Sequence, residues 1–122
     1  MQLIDSNILI YSGEAAYAPL LMPFVTDPAN LVSTISKVET LGYVHVTPSQ
    51  IQYFESLFII LQAIPVDDAV IQKAIDIRRM KKISLGDSLI AATALIQGVE
   101  LVTRNTADFA GIPGLKVINP IP

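Results

Sequence analysis

The stretch LIDSNILIY, residues 3–11, sets three small polar residues, Asp5, Ser6 and Asn7, inside an otherwise apolar run. The overlapping segment MQLID, residues 1–5, is short and apolar and reads as a strand ending at Asp5. Residues 6–12 read as the start of a helix, because Asp5 or Ser6 carries a side-chain oxygen able to cap one. A strand running straight into a helix opens an α/β fold. It also leaves a carboxylate at the strand's carboxyl end, which a purely structural element does not need.

The rest of the chain repeats that alternation. EAAYAPLLMPFV is apolar and helical in pattern, with breaks expected near Pro19 and Pro23. The β-branched run NLVSTI, 30–35, reads as a second strand. SKVETLGYVHV opens with Ser36 and Glu39 in S-x-x-E spacing, a capping-box signature. PSQIQYFESLFIILQ has proline in its first turn and apolar residues at 51, 54, 57, 58 and 61, a helical pattern. AIPV is a third short strand. DDAVIQKAIDIRRM follows as a helix, with acids in its first turn and arginines in its last, complementing the helix dipole.

SLGDSLIAATALIQG runs from a Ser84 cap to Gly98 as a further helix. ELVT and KVIN are the last strands, on either side of the loop RNTADFAGIPGL. Strands alternating with helices predict a mainly parallel sheet covered on both faces, whose ligands collect at the carboxyl ends of the strands. No repeat or linker divides the chain, so a single domain over residues 1–122 is expected.

Composition narrows the chemistry. Hydrophobic residues make up 52% of the 122 and charged ones 16%, a globular balance. No apolar run nears the roughly 20 residues of a membrane span, and the N-terminus has no signal-peptide pattern, so no membrane association is expected. With no cysteine there is neither a disulfide nor a thiolate nucleophile, which suits a cytoplasmic setting. A lone histidine, His45, excludes a multi-histidine zinc site, and its expected role is structural.

The net charge of −3 argues at first against a nucleic-acid partner. Setting aside Asp5, Glu39, Asp87 and Asp108 leaves seven acids against eight bases, of which Arg78, Arg79, Lys81 and Lys82 cluster in RRMKK. Singly, each of those four acids has an ordinary use as a cap or turn former. Together, three stand near the starts of helices and the fourth follows strand ELVT, so a parallel sheet permits them to meet at one edge. Four carboxylates in one place repel unless cations neutralise them. Oxygen-only ligands favour hard ions such as Mg²⁺ or Mn²⁺, which activate water and steady a departing oxygen in phosphodiester hydrolysis.

At this point the residues carry a resemblance. LIDSNILIY, STISKVETLGY at 33–43, ISLGDSLIAATALIQG at 83–98 and LVTRNTADFAGIPGLKVINP at 101–120 are similar, in order, to the blocks of PIN-domain ribonucleases, and specifically of VapC-type toxins. The resemblance implies a three-layer fold with a five-stranded mainly parallel sheet flanked by helices. It implies an acidic quartet at Asp5, Glu39, Asp87 and Asp108 holding one or two Mg²⁺ or Mn²⁺ ions. It further implies a supporting shell of Ser6, Asn7, Thr103 and Asn105, an RNA substrate, a homodimer and a cognate antitoxin. Ser6 stands where the family more often has threonine, and Asp108 is the family's least constant acid. Arg104, with Arg78, Arg79, Lys81 and Lys82, is a candidate for RNA phosphate contacts. The aromatic residues Tyr53, Phe54 and Phe58 are expected in a core or dimer interface.

Two readings from other classes stand beside this one. A non-catalytic RNA-binding or interaction module would keep the fold without the chemistry, though it has no need for four converging acids. A small Mg²⁺ phosphatase or receiver-like domain would need a D-x-D-x-T motif, a G-x-x-x-x-G-K-[ST] loop or paired acids after the first strand. The chain has none of these.

Overall fold

The computed structural model describes residues 1–122. Five strands, β1 (Gln2–Ile4), β2 (Leu31–Ser33), β3 (Gln62–Ile64), β4 (Glu100–Val102) and β5 (Val117–Ile118), form one sheet in the order β3-β2-β1-β4-β5. Every pairing is parallel. The helices between them are α1 (Ser6–Ser12), α2 (Ala18–Val25), α3 (Ile35–Leu41), α4 (Pro48–Ile60), α5 (Asp68–Met80) and α6 (Leu85–Gln97).

Strand alternation builds a core on each face of the sheet. Leu3, in register with Leu31 and Leu101, points to the face covered by α5 and α6, where it packs with Val70, Ile77 and Ile90. Ile4, Val32 and Val102 point the other way, into Ile8, Leu9, Leu21, Phe54 and Leu57 from α1, α2 and α4. Strands β1, β2 and β4 each give two residues to these cores, one to each face, and the edge strands β3 and β5 give one each, Ile64 and Val117.

Three elements differ from the sequence expectations. Helix α2 runs unbroken through Pro23, with Pro19 in its first turn; in so short a helix Pro23 removes a single backbone bond. Ser36 and Glu39 form no capping box: Thr34 stands at the N-cap of α3, and both residues lie within the helix. The reciprocal box occurs at α4 instead, between Thr47 and Gln50, ahead of Pro48. The third strand is Gln62–Ile64 rather than AIPV, because Pro65 has no N–H to give to the ladder.

Helix α6 starts and stops where the sequence indicates. Ser84 Oγ accepts from the Asp87 N–H, and Gly98 closes the helix in the left-handed region at φ 67°. Chain order matters most at the centre of the sheet. From β1 the chain builds outward through β2 and β3, then returns to β4 on the other side of β1. The carboxyl ends of β1 and β4 therefore flank a topological switch point, the usual position for a ligand crevice in such sheets.

Candidate active site

Asp5 follows β1 directly and is 3% exposed. It serves as the N-cap of α1, and each oxygen of its carboxylate accepts from one protein donor. Oδ1 accepts from the Ser6 N–H at 2.8 Å, and Oδ2 accepts from the Thr103 hydroxyl at 2.7 Å. Thr103, also buried, follows β4, so the two strands at the switch point are joined through this bond.

Around that bond the shell closes. Asn7 donates through Nδ2 to Thr103 Oγ1 at 3.2 Å, and its Oδ1 accepts from the Arg104 N–H at 3.4 Å. The Asn105 N–H donates to Thr103 Oγ1 at 3.1 Å. Ser6 Oγ lies 2.7 Å from Glu39 Oε1 and 2.7 Å from Ser36 Oγ, both on α3. Ser6 thereby meets Asp5 through its backbone and Glu39 through its side chain.

Glu39 reaches toward the start of α6. A Cβ at Gly86 would lie 2.6 Å from Glu39 Oε2, so only a glycine at 86 leaves the carboxylate where it is. Asp87 is half-buried on the first turn of α6. Asp108 is exposed on the 3₁₀ turn Thr106–Phe109, which Phe109 anchors in the core.

Electrostatics link these acids in a row. Burial pushes the Asp5 carboxyl from an ordinary 3.8 up to about 7, and the negative charges of Asp87 and Glu39 add to the rise against the Thr103 and Ser6 hydrogen bonds. Asp87 is also raised, first by burial and then by Asp108, while the Ser84 bond and the Lys81 charge pull it down. Glu39, Asp5, Asp87 and Asp108 thus form an open row along the carboxyl edge. No three of them close into a cage around one point.

A cleft of about 590 Å³ runs beside the row, lined by Arg78, Lys81, Lys82, Ser84, Asp87 and Asp108 among others. Lys81 is committed within it: its Nζ donates to the carbonyls of Asp108 at 2.9 Å and Ala110 at 2.7 Å. Arg78 and Lys82 line the cleft, whereas Arg79 does not. Arg104 sits on the opposite side, its guanidinium 4.7 Å from the Tyr11 ring centre and 5.3 Å from that of Tyr17.

His45 is exposed and stacks edge-on to Tyr43. Phe54 is buried in the core, Tyr53 reaches Ser12 Oγ with its hydroxyl at 2.7 Å, and Phe58 packs at the core's margin. Four contributors escaped the sequence reading: Ser36, Gly86, Tyr11 and Tyr17. Of these only Gly86 left a signal, a glycine in a helical first turn beside a candidate ligand.

Comparison with known proteins identifies the family and the fold. The family model described as PIN domain matches residues 3–115. Ribonuclease VapC1 of Rickettsia felis is 39% identical over 132 residues, covering 95% of this chain and 93% of that protein. Ribonuclease VapC10 of Mycobacterium tuberculosis is 29% identical, with 95% and 91% covered. Among solved structures, a toxin–antitoxin complex from Klebsiella pneumoniae superposes with a TM-score of 0.79 at 33% identity, covering 99% of this chain and 98% of its counterpart. DNA-bound VapBC from Salmonella typhimurium reaches 0.81 at 19% identity over 99% and 100% of the two chains, a likeness of fold.

Proposed function

We propose that this chain, which belongs to the PIN-domain family and to its VapC-type members, is a Mg²⁺- or Mn²⁺-dependent endoribonuclease and the toxin of a toxin–antitoxin pair. The observation that carries the reading is the acidic row: a buried carboxyl at the switch point, felt by two further acids, beside a cleft lined with cations. Names of relatives supply the substrate class, and the Klebsiella pneumoniae neighbour supplies the kind of partner.

The donor set suits a hard divalent cation. It is oxygen only, it includes a carboxyl that resists ionising until a positive charge compensates it, and Gly86 keeps space beside Glu39. Asp5, Glu39, Asp87 and Asp108 would share one or two ions along the row, each ion held by one or two carboxylates and its own waters rather than by a closed cage. Bound there, the ion supplies Lewis acidity to the scissile phosphate and to the water that attacks it.

The chain's own groups do the positioning. Ser6 orients Asp5 through its N–H and Glu39 through its hydroxyl. Thr103 fixes the second oxygen of Asp5, and Asn7 and Asn105 fix Thr103 in turn. Lys81 ties the Asp108 segment to the end of α5. Arg78 and Lys82 present charge to an RNA backbone along the cleft, offsetting the repulsion between phosphates and carboxylates. No protein nucleophile is needed.

The remaining parts of the reading follow from the family: a homodimer acting on cytoplasmic RNA, silenced when a cognate antitoxin covers the edge. No helix is long and apolar enough to cross a membrane. The test compares wild type with Asp87→Asn on total cellular RNA in Mg²⁺, in Mn²⁺ and with EDTA, after denaturing purification and refolding to remove any carried antitoxin. Discrete fragments that require metal and vanish in the variant support the nuclease, and sequencing their ends names the target. Metal-dependent cleavage retained in both Asp5→Asn and Asp87→Asn would sink the site. RNA binding without cleavage in saturating Mn²⁺ would favour a non-catalytic module instead.

A further inference from the structure

Arg104 is unusual among the cations near the acidic row. Its backbone neighbour Thr103 donates to Asp5, yet its guanidinium turns away from the carboxylates and lies against Tyr11 and Tyr17. Its one side-chain hydrogen bond goes to a phenol, from Nη1 to Tyr17 Oη at 3.3 Å. The two tyrosines are themselves locked edge to face, with ring centres 5.3 Å apart. These contacts fix the long side chain in one orientation. The N–H groups of the fork that do not reach Tyr17 match a two-oxygen anion.

Placement decides which anion. Tyr11 and Tyr17 pack on the core face formed with α1 and α2, while Arg78 and Lys82 belong to the cleft at α5 and α6. The acidic row lies between, at the sheet's carboxyl edge. A nucleic-acid strand laid over the row from the Arg78–Lys82 cleft emerges on the Arg104 side. We propose that Tyr11, Tyr17 and Arg104 form a phosphate-binding station for single-stranded RNA, engaging a backbone phosphate that flanks the cleaved bond. Prior ordering of the guanidinium lowers the conformational entropy lost on binding. This inference rests on the ribonuclease reading and adds to it a second anchor for the strand, in the opposite helical layer.

The test uses steady-state cleavage of a single-stranded oligoribonucleotide spanning the site mapped on cellular RNA, with KCl varied in constant Mg²⁺. Arg104→Ala should raise KM about tenfold, as expected for loss of a charge-assisted contact, with a much smaller effect on kcat. The slope of log(kcat/KM) against log[KCl] should flatten by about 0.7, the value for one phosphate contact on a single strand. Arg104→Lys should restore the slope while recovering only part of KM, because the charge returns without the fork. Tyr17→Phe, which keeps the ring and removes the hydroxyl, should raise KM by a smaller factor. Lys116→Ala removes a cation at the opposite end of the sheet, beside the start of β5, and should change neither quantity. Equal slopes and KM values for Arg104→Ala and Lys116→Ala overturn the station while leaving the ribonuclease intact. Absence of cleavage by wild type overturns both. If Arg104→Ala fails to fold, judged by circular dichroism, Arg104→Lys and Tyr17→Phe decide the matter: unchanged KM in both overturns the proposal.

Discussion

Replacing Asp5 by asparagine should stabilise the metal-free protein above neutral pH and destabilise it in acid. The wild-type carboxyl is held at about 7 against an ordinary 3.8, so the folded state binds a proton across that window more tightly than the unfolded state does. Stability therefore falls as pH rises from about 4 to about 7 and levels off beyond, by about 4 kcal/mol for a shift of roughly three units. Asparagine is never charged and escapes this loss. It has a cost of its own, because its Nδ2 would face Thr103 Oγ1, which already accepts from Asn7 and Asn105. An unpaired buried group of that kind costs about 1–3 kcal/mol. The variant should thus be more stable than wild type by about 1–3 kcal/mol at pH 8 and less stable by a similar amount at pH 4, the curves crossing between about pH 4.5 and 6. Urea denaturation in EDTA, repeated across that range, measures the difference directly. A variant less stable than wild type at pH 8, or a difference that does not change with pH, would refute the argument from burial. Mg²⁺ at a hundredfold its Kd should then offset most or all of that difference at pH 8, since it adds about 2.7 kcal/mol to the form that binds it.

Gly86→Ala should fold with unchanged or slightly raised stability, because alanine is the better helix former by about 1 kcal/mol, yet lose tenfold or more of the RNA cleavage rate. Its Cβ falls 2.6 Å from Glu39 Oε2, and the flexible carboxylate is what yields; wild-type activity in this variant would show that Glu39 need not stand there. Lys81→Met should cost about 1–2 kcal/mol in urea denaturation by freeing the Asp108 and Ala110 carbonyls from a half-exposed ammonium. Amide exchange over residues 106–110 should accelerate with it, and exchange at the wild-type rate would place the anchor of that turn entirely in Phe109.

The fold was readable where local rules coincide with long-range needs. Ser84 and Gly98 bound α6 by chemistry confined to a few residues, and the alternation of β-branched and helical stretches implied a parallel sheet without knowledge of any contact. Errors fell where one local rule was satisfied in two places. Ser36 and Glu39 have capping-box spacing, but their partner is Ser6, about thirty positions earlier. The box itself formed at Thr47 and Gln50, where glutamine in place of glutamate made the signal quieter. The site divides in the same way. Asp5 and Asp87 were visible as carboxylates at element ends, while the Asp5–Thr103 bond joins residues 98 apart and no spacing rule reaches that far. Only resemblance to a family pointed to Thr103, and it carried nothing about Tyr11 or Tyr17.

The three polar residues after β1 now have separate physical reasons. Asp5 is a carboxyl placed where burial opposes its ionisation, a strain that stability alone would remove. Ser6 must be small, because it is buried between α1 and α3, and must carry a hydroxyl, because that oxygen lies 2.7 Å from Glu39. Asn7 needs both a donor and an acceptor at one position: its Nδ2 holds Thr103 and its Oδ1 receives the Arg104 N–H. Aspartate at 7 would lack the donor and bring another negative charge to the row, and leucine would leave Thr103 and the Arg104 backbone without their partner. The interruption of an apolar run by Asp-Ser-Asn is therefore one device. It sets an acid at the switch point, steers a second acid from α3, and ties the end of β4 to both.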